Sequence, residues 1–399
     1  MPVRLGGLMA GFIGVVGAVG LSAMHGRGSG QFLFAYLIAL VFYLSISLGA
    51  LFFVALQHAT RAGWSVAIRR PAEVLAANFP VLLVLCLPLL AGLPLVYRWV
   101  HSADPIIVAK SAYLNVPFFV ARIIFYLLVW TVLGRYFWSR SVAQDTSADP
   151  VLTLRMQKRS PAALLIFAVT INFAAFDLLM SLDPHWYSTI FGVYYFGGSV
   201  LAFLAAYILV LLLLQRARLL GPQVTVEHYH DLGKLLFAFV FFWGYIAFSQ
   251  YLLIWYANLP EETRWFQRRG ATTVAADTNF FTILTLVLLF GHLLLPFGAL
   301  LGRLAKRTPR GLAFWCVWLL VMHVADLFWL ARPELLTKVT APAGGTVPVD
   351  GFDLLLLLAC LVGLGGFYLS AAARRAGQHS LLPVGDPRLA ESLAFRQDP

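Results

Sequence analysis

Of the 399 residues, 60% are hydrophobic and only 12% are charged, and the mean hydropathy is +0.81. A soluble chain of this size needs a wettable exterior that such a composition cannot supply, so lipid is the matching solvent. The net charge of +11 raises the question of nucleic acid, but the basic residues sit in short loops between apolar runs, with no basic–aromatic platform, and nucleic acid is not expected as a partner.

Apolar stretches of bilayer-crossing length, about 20 residues each, are predicted in chain order at 5–24, 31–57, 74–97, 117–138 and 162–181, then at 188–215, 232–258, 278–302, 311–331 and 352–371. The first is kept as a membrane helix, because a single Arg4 precedes it and no small-residue cleavage site follows before His25. Residues 104–115 read as a short interfacial helix. The polar tail 374–399, with Pro383 and Pro387, reads as an extended arm on the surface. The expected fold is all-α and polytopic, with about ten transmembrane helices. Two four-helix bundles, helices 2–5 (31–182) and 6–9 (183–335), are flanked by a first helix (1–30), a last helix (336–373) and a tail (374–399). The division rests on an internal parallel. Helix two passes Leu48-Gly49-Ala50 to a basic exit at His58 and Arg61, and the next helix begins after Pro71. Helix six passes Gly197-Gly198 to a basic exit at Arg216 and Arg218, and the next begins after His230. Repeated bundles occur in carriers and in respiratory subunits alike.

Lys and Arg distribute unequally between alternate loops. The side that holds both termini collects 20, the other side 8, and Arg122 lies inside a helix. The positive-inside rule then places both termini in the cytoplasm.

Cys86, Cys316 and Cys360 are isolated in apolar runs and read as small buried hydrophobes; without a CxxC pair, no Fe–S cluster or structural zinc is expected on this chain. The run Glu227-His228-Tyr229-His230-Asp231 has metal-ligand composition, but it falls at a loop and helix start, with Asp231 as the expected N-cap, and a solvated turn is expected. No phosphate loop, nucleophile elbow or zinc-protease motif occurs.

Ionisable groups within lipid are costly and need a partner or a function. Arg122, in the first two turns of helix four, and Asp177, near the far end of helix five, are expected to pair, either as a staple or as part of a proton path. Helix eight carries Thr278, Thr282, Thr285 and His292 at helical spacing, and helix nine carries His323 and Asp326 on one face. Helix seven carries Tyr245, Ser249 and Tyr256 on one face, with Gln250 beside it. Such stripes serve either as hydrogen-bonding glue between helices or, given two histidines and buried aspartates, as a proton relay. A haem between His292 and His323 is a further alternative, although a cytochrome b core normally carries two histidines on each of two helices.

Three segments carry a family resemblance. Residues 176–194 read Phe-Asp-Leu-Leu-Met-Ser-Leu-Asp-Pro-His-Trp-Tyr-Ser-Thr-Ile-Phe-Gly-Val-Tyr, and residues 247–263 read Ala-Phe-Ser-Gln-Tyr-Leu-Leu-Ile-Trp-Tyr-Ala-Asn-Leu-Pro-Glu-Glu-Thr. The third is Phe290-Gly291-His292 with Leu295-Pro296-Phe297. Together they resemble the ActF-type membrane subunit of alternative complex III, within the polysulfide-reductase (NrfD-like) superfamily, over most of residues 30–335. The resemblance implies a multi-pass subunit of the bacterial inner membrane, in a complex that oxidises quinol and passes electrons to cytochrome c or a similar carrier. It implies that this chain holds no redox cofactor. Haem c and Fe–S clusters would belong to partner subunits, a multihaem cytochrome c and an Fe–S protein, beside a sister NrfD-like membrane subunit. Mapped onto this chain, an outer proton half-path would use Arg122, Asp177, His323 and Asp326. An inner half-path would run from Lys234 or His58 to His292. Asp183, His185, Glu261 and Glu262 would form a partner or exit surface. Two alternatives stay open: a quinone site near Trp243, Tyr245 and Tyr251, and a stand-alone secondary transporter, for which Pro88 and Pro94 are the comparable helix breaks.

Overall fold

The computed structural model describes residues 2–25, 29–271, 279–335 and 349–396, and these form helices with no strands among them. Ten helices are long and apolar enough to cross a bilayer. They are α1 (Pro2–His25), α2 (Ser29–Ala59), α3 (Val66–Ala91), α4 (Val116–Ser147), α5 (Pro150–Leu178), α6 (Phe191–Arg216), α7 (Val226–Ala257), α8 (Phe280–Leu301), α9 (Pro309–Leu335) and α10 (Gly351–Ala376). The chain is therefore an all-α polytopic membrane protein. Both ends lie on one face, called here the terminal face; the opposite face is the distal face.

Every predicted apolar run falls within one of these helices or overlaps it closely, and the departures have local causes. Helix α4 runs nine residues past its apolar stretch and α5 begins twelve residues before its own. Capping, and not hydropathy, sets these ends: Asp149 Oδ1 accepts the Val151 N–H at 2.9 Å, and Ala148 (φ 48°) turns the chain between the two helices. Helix α3 begins at Val66 and breaks at Ala77 and Asn78, so that an amphipathic first part, Val66–Ala76, precedes the apolar part, Phe79–Ala91. Asn78 holds the break against α10, its Nδ2 donating to the Tyr368 carbonyl at 3.0 Å and its Oδ1 accepting from Arg375 at 3.2 Å.

Helices α2 to α5 pack on one another, as do α6 to α9, and α2 packs along α6, α9 and α10. α2 is the most enclosed of the spans. α1 stands outside these groups and packs along α10 alone to any extent. Glycines bring those two helices together: a Cβ on Gly14 would sit 2.3 Å from the Gly363 nitrogen. In lipid, where no hydrophobic gain drives helices together, such close backbone approach supplies the attraction through dispersion.

The tail departs from the expected free arm. It docks on the terminal face. Asp386 pairs with Arg69, Ser392 Oγ donates to the Trp64 carbonyl at 2.6 Å and accepts the Ala67 N–H at 2.9 Å, and the Ser380 carbonyl accepts from Arg70 at 3.1 Å. The reason lies in α3. Arg69, Arg70 and Glu73 are buried there, and one glutamate cannot balance two guanidinia. Asp145 from α4 neutralises Arg70 at 2.8 and 2.9 Å, and Asp386 of the tail neutralises Arg69. Asp386→Ala removes one charge-assisted hydrogen bond from Arg69, which keeps Glu73 as a partner, and is therefore expected to destabilise the protein by about 2 kcal/mol. Glu391→Ala, which breaks the exposed Arg388–Glu391 pair, should cost under about 0.5 kcal/mol. Thermal unfolding of the two variants in one detergent measures the difference.

Candidate functional site

The site is built around an irregularity in α8. Pro296 has no N–H to give the His292 carbonyl, so the regular i→i−4 ladder cannot pass this point. The helix widens to a π-helix over Leu288–Leu294, and the Trp318 indole donates to the Gly291 carbonyl at 2.6 Å. Widened turns of this kind often mark functional positions in helices. Here the widened turn faces the His292 imidazole against the Trp243 ring of α7, centroids 4.0 Å apart. His292 is wholly buried, and neither of its ring nitrogens has a hydrogen-bond partner among the described residues.

Next to it, α9 presents His323 and Asp326 three residues apart on one face, as the sequence predicts. The Tyr194 hydroxyl of α6 donates to Asp326 Oδ1 in a short hydrogen bond. His323 Nε2 lies 3.1 Å from Ser45 Oγ of α2. Gly198 makes room for that ring, since a Cβ there would stand 3.0 Å from His323 Cε1. Asp326 is 1% exposed and, among the described residues, takes part in no ion pair. Five helices, α2, α6, α7, α8 and α9, thus contribute to a cluster with one buried carboxyl and two imidazoles.

On the distal side of this cluster lies a largely apolar cavity of about 300 Å³, lined by Tyr194, Trp243, Gln250, Tyr251, Thr282, Thr285 and Trp329 together with apolar residues of α7 and α8. Its polar groups are partly committed. Trp329 Nε1 donates to Thr285 Oγ1 at 2.8 Å, Thr285 Oγ1 donates to the Arg269 carbonyl at 2.7 Å, and the Tyr251 hydroxyl donates to the Ala271 carbonyl at 2.8 Å. Over its distal end the short helix Pro260–Gln267 lies against the 176–194 segment. Trp186 stacks on Trp265 with centroids 4.1 Å apart, and Ser188 donates to Gln250 at 3.1 Å. Arg268 bonds Asp183 at 3.0 Å, and Arg269, fully buried, bonds Glu334 at 3.1 Å and lies 3.5 Å over the Trp265 ring. Burial pulls the Arg269 guanidinium down to about 10, against the opposing pull of Glu334, so it stays a cation at neutral pH.

The predicted Arg122–Asp177 pair forms, but away from this cluster. Arg122 Nε and Nη2 grip both Asp177 oxygens at 2.9 and 2.8 Å, Tyr126 adds a third donor at 3.0 Å, and the guanidinium sits 3.8 Å over the Tyr113 ring. No direct hydrogen bond, ion pair or ring contact among the described residues joins this pair to His323 or Asp326. A carboxylate held in this way strands a buried cation if it takes up a proton, which suits a staple between α4 and α5.

Other expected site residues are placed as follows. His58 is buried and stacked on Phe137 at 5.4 Å, on the α2–α4 side of the molecule, and nothing connects it to His292. Lys234 pairs with Asp231 and is half exposed on the terminal face. Neither begins a continuous route to His292. Trp243 and Tyr251 line the cavity, whereas Tyr245 is 58% exposed and points outward with Tyr256, so the stripe on α7 faces lipid. The side of α7 one residue round, with Trp243 and Gln250, faces the site. Thr282 and Thr285 reach the cavity; Thr278 lies outside the described residues. Asp183 is buried under Arg268 and does not form part of an open surface, while His185 is partly exposed, 2.9 Å from Asp104. That hydrogen bond holds the Asp104 carboxyl below its usual range. Glu261 is exposed and Glu262 half buried, in the first turn of Pro260–Gln267. Asp231 is not an N-cap, because α7 starts earlier, at Val226, where Thr225 and His228 form the cap. Among the described residues, no three His, Cys, Asp or Glu side chains converge as metal ligands.

Sequence reasoning missed Tyr194, Ser45 and Trp329. Tyr194 ends the 176–194 segment, which was the available signal. Ser45 and Trp329 stand in apolar runs with nothing to mark them. No protein-family model matches the chain, and no curated protein matches it.

The two buried aspartates are expected to respond differently to neutralisation. Asp177→Asn leaves Arg122 without its counter-charge and should cost about 3–5 kcal/mol of stability, while Asp326→Asn keeps the acceptor for Tyr194 and should cost about 1 kcal/mol or less. Melting temperatures of the two variants in the same detergent check this.

Proposed function

We propose that the chain is an ActF-type, NrfD-like membrane subunit of a quinol-oxidising respiratory complex, and that the cluster of Asp326, Tyr194, His323 and His292 is its proton-handling element. In this reading the termini are cytoplasmic, in a bacterial inner membrane. Haem c and Fe–S clusters belong to partner subunits, and this chain holds no redox cofactor. The observation that carries the reading is the buried Asp326 carboxyl, which Tyr194 hydrogen-bonds and which no cation among the described residues neutralises. Such a carboxyl can gain and lose a proton without stranding an opposite charge, whereas Asp177 is ion-paired with Arg122. Tyr194 also borders the cavity, so its hydroxyl can hand a proton to Asp326 and be refilled from the cavity side. The two long segments that carry the resemblance support the same reading, because they touch through Ser188 and Gln250 and together roof that cavity.

A second reading has an observation of its own. The cavity beside Tyr194 is apolar, is walled by Trp243, Tyr251 and Trp329, and has Gln250 and two threonines as polar contacts. These are features that suit a quinone headgroup bound by this subunit.

Purification through a tag on this chain tests the complex. Subunits that carry haem and Fe–S clusters are expected to accompany it, and a colourless, solitary protein stable in the same detergent overturns the reading. Within the purified complex, Asp326→Asn should preserve assembly and lower proton release per electron at least severalfold. Unchanged proton release removes Asp326 from the relay.

A further inference from the structure

The packing of α1 leaves a second cavity, of about 350 Å³, between α1, α3 and α10 near the terminal face. Its wall is apolar and open to the surrounding lipid: Leu8 from α1, Phe367 from α10 and Val84 from α3, the last 61% exposed. The wedge exists because the glycine contacts draw α1 tightly onto α10, while α1 makes no extended contact with α3. Two guanidinia stand at its rim, Arg4 and Arg374. Both are exposed, and neither takes part in an ion pair among the described residues, nor does any acidic side chain line the wedge. The neighbouring Arg375 is engaged with Asn78, and Ser370 Oγ is committed to the Arg4 carbonyl at 3.0 Å, which fixes the two helix ends relative to each other.

We propose that this wedge is a binding site for an anionic phospholipid, its phosphodiester held between Arg4 and Arg374 and an acyl chain lying along Leu8, Val84 and Phe367. The charge arrangement selects this occupant. An arginine fork matches phosphate oxygens in pairs, and basic pockets between transmembrane helices on the basic side of a protein take anionic headgroups. A transmembrane peptide would fill the apolar part, but on this side its flanking residues would themselves tend to be basic and would meet two uncompensated cations. The lipid would act as a further surface that holds α1, which otherwise rests mainly on α10. The site is remote from the Asp326 cluster and does not depend on the proposed function.

Native mass spectrometry of the full chain, released from nanodiscs of phosphatidylethanolamine with a minority of phosphatidylglycerol, tests the site. The wild-type protein is expected to retain phosphatidylglycerol in preference to phosphatidylethanolamine. The double variant Arg4→Gln, Arg374→Gln should lose that retention by roughly thirtyfold, the effect expected of two interfacial cations. Val84→Trp, which fills the wedge and leaves both arginines in place, should lose it as well. Arg216→Gln, Arg218→Gln, on the same face but away from the wedge, should keep it. Equal retention in the Arg4, Arg374 double variant overturns the proposal, and so does an equal loss in the Arg216, Arg218 variant, which would indicate a diffuse field. A photo-crosslinker at position 84 should label lipid in native membranes; labelling of another polypeptide also overturns it.

Discussion

In hydrocarbon there is no water to satisfy a polar group, and that condition governs each part of this molecule. It makes every described element a helix, since only a helix bonds its own backbone within one segment. Where the ladder fails, a substitute is present: the π-turn before Pro296 has the Trp318 indole on the Gly291 carbonyl, and the break at Ala77 and Asn78 is held by Tyr368 and Arg375. It also explains why α2, the most enclosed helix, has Ser45 and Ser47 bonded to groups on neighbouring helices.

The same condition separates the two intramembrane carboxyls. Asp177 meets its desolvation with a two-pronged arginine and a tyrosine, an arrangement that joins α4 to α5. Asp326 has the neutral Tyr194 hydroxyl as its donor and, among the described residues, no ion-pair partner. A charge that serves structure is neutralised by an opposite charge. A charge that serves proton movement is better left with neutral, polarisable neighbours.

At the two faces, ion clusters close the bundle ends. On the distal face Arg268 and Arg269 join Asp183 to Glu334, while Arg332 grips Asp353 and so ties α9 to α10. The stacked Trp186 and Trp265 lie against the first of these clusters through Arg269. On the terminal face the docked tail pairs Asp386 with Arg69 and gives Arg70 the Ser380 carbonyl as an acceptor. Each cluster joins segments distant in sequence, so the loops act as structural clamps more than as connectors.

The sequence by itself determined the ten crossings, because apolar run length is a local property and the bilayer thickness converts it directly into helices. It also determined that Arg122 would meet Asp177 and that His323 and Asp326 would share a face, since burial demands a partner and helical spacing is fixed. It did not determine that Tyr194 and Ser45 would complete the cluster, that Tyr245 would face lipid while Trp243 and Gln250 face inward, or that the tail would dock. Those outcomes depend on the rotation of each helix about its axis and on the register between helices. In a chain whose helices are apolar on nearly all faces, no contrast between a polar and an apolar side marks which side turns inward and which meets lipid. Side-chain packing across α2, α6, α7 and α9 sets that rotation, and only the tertiary structure contains it.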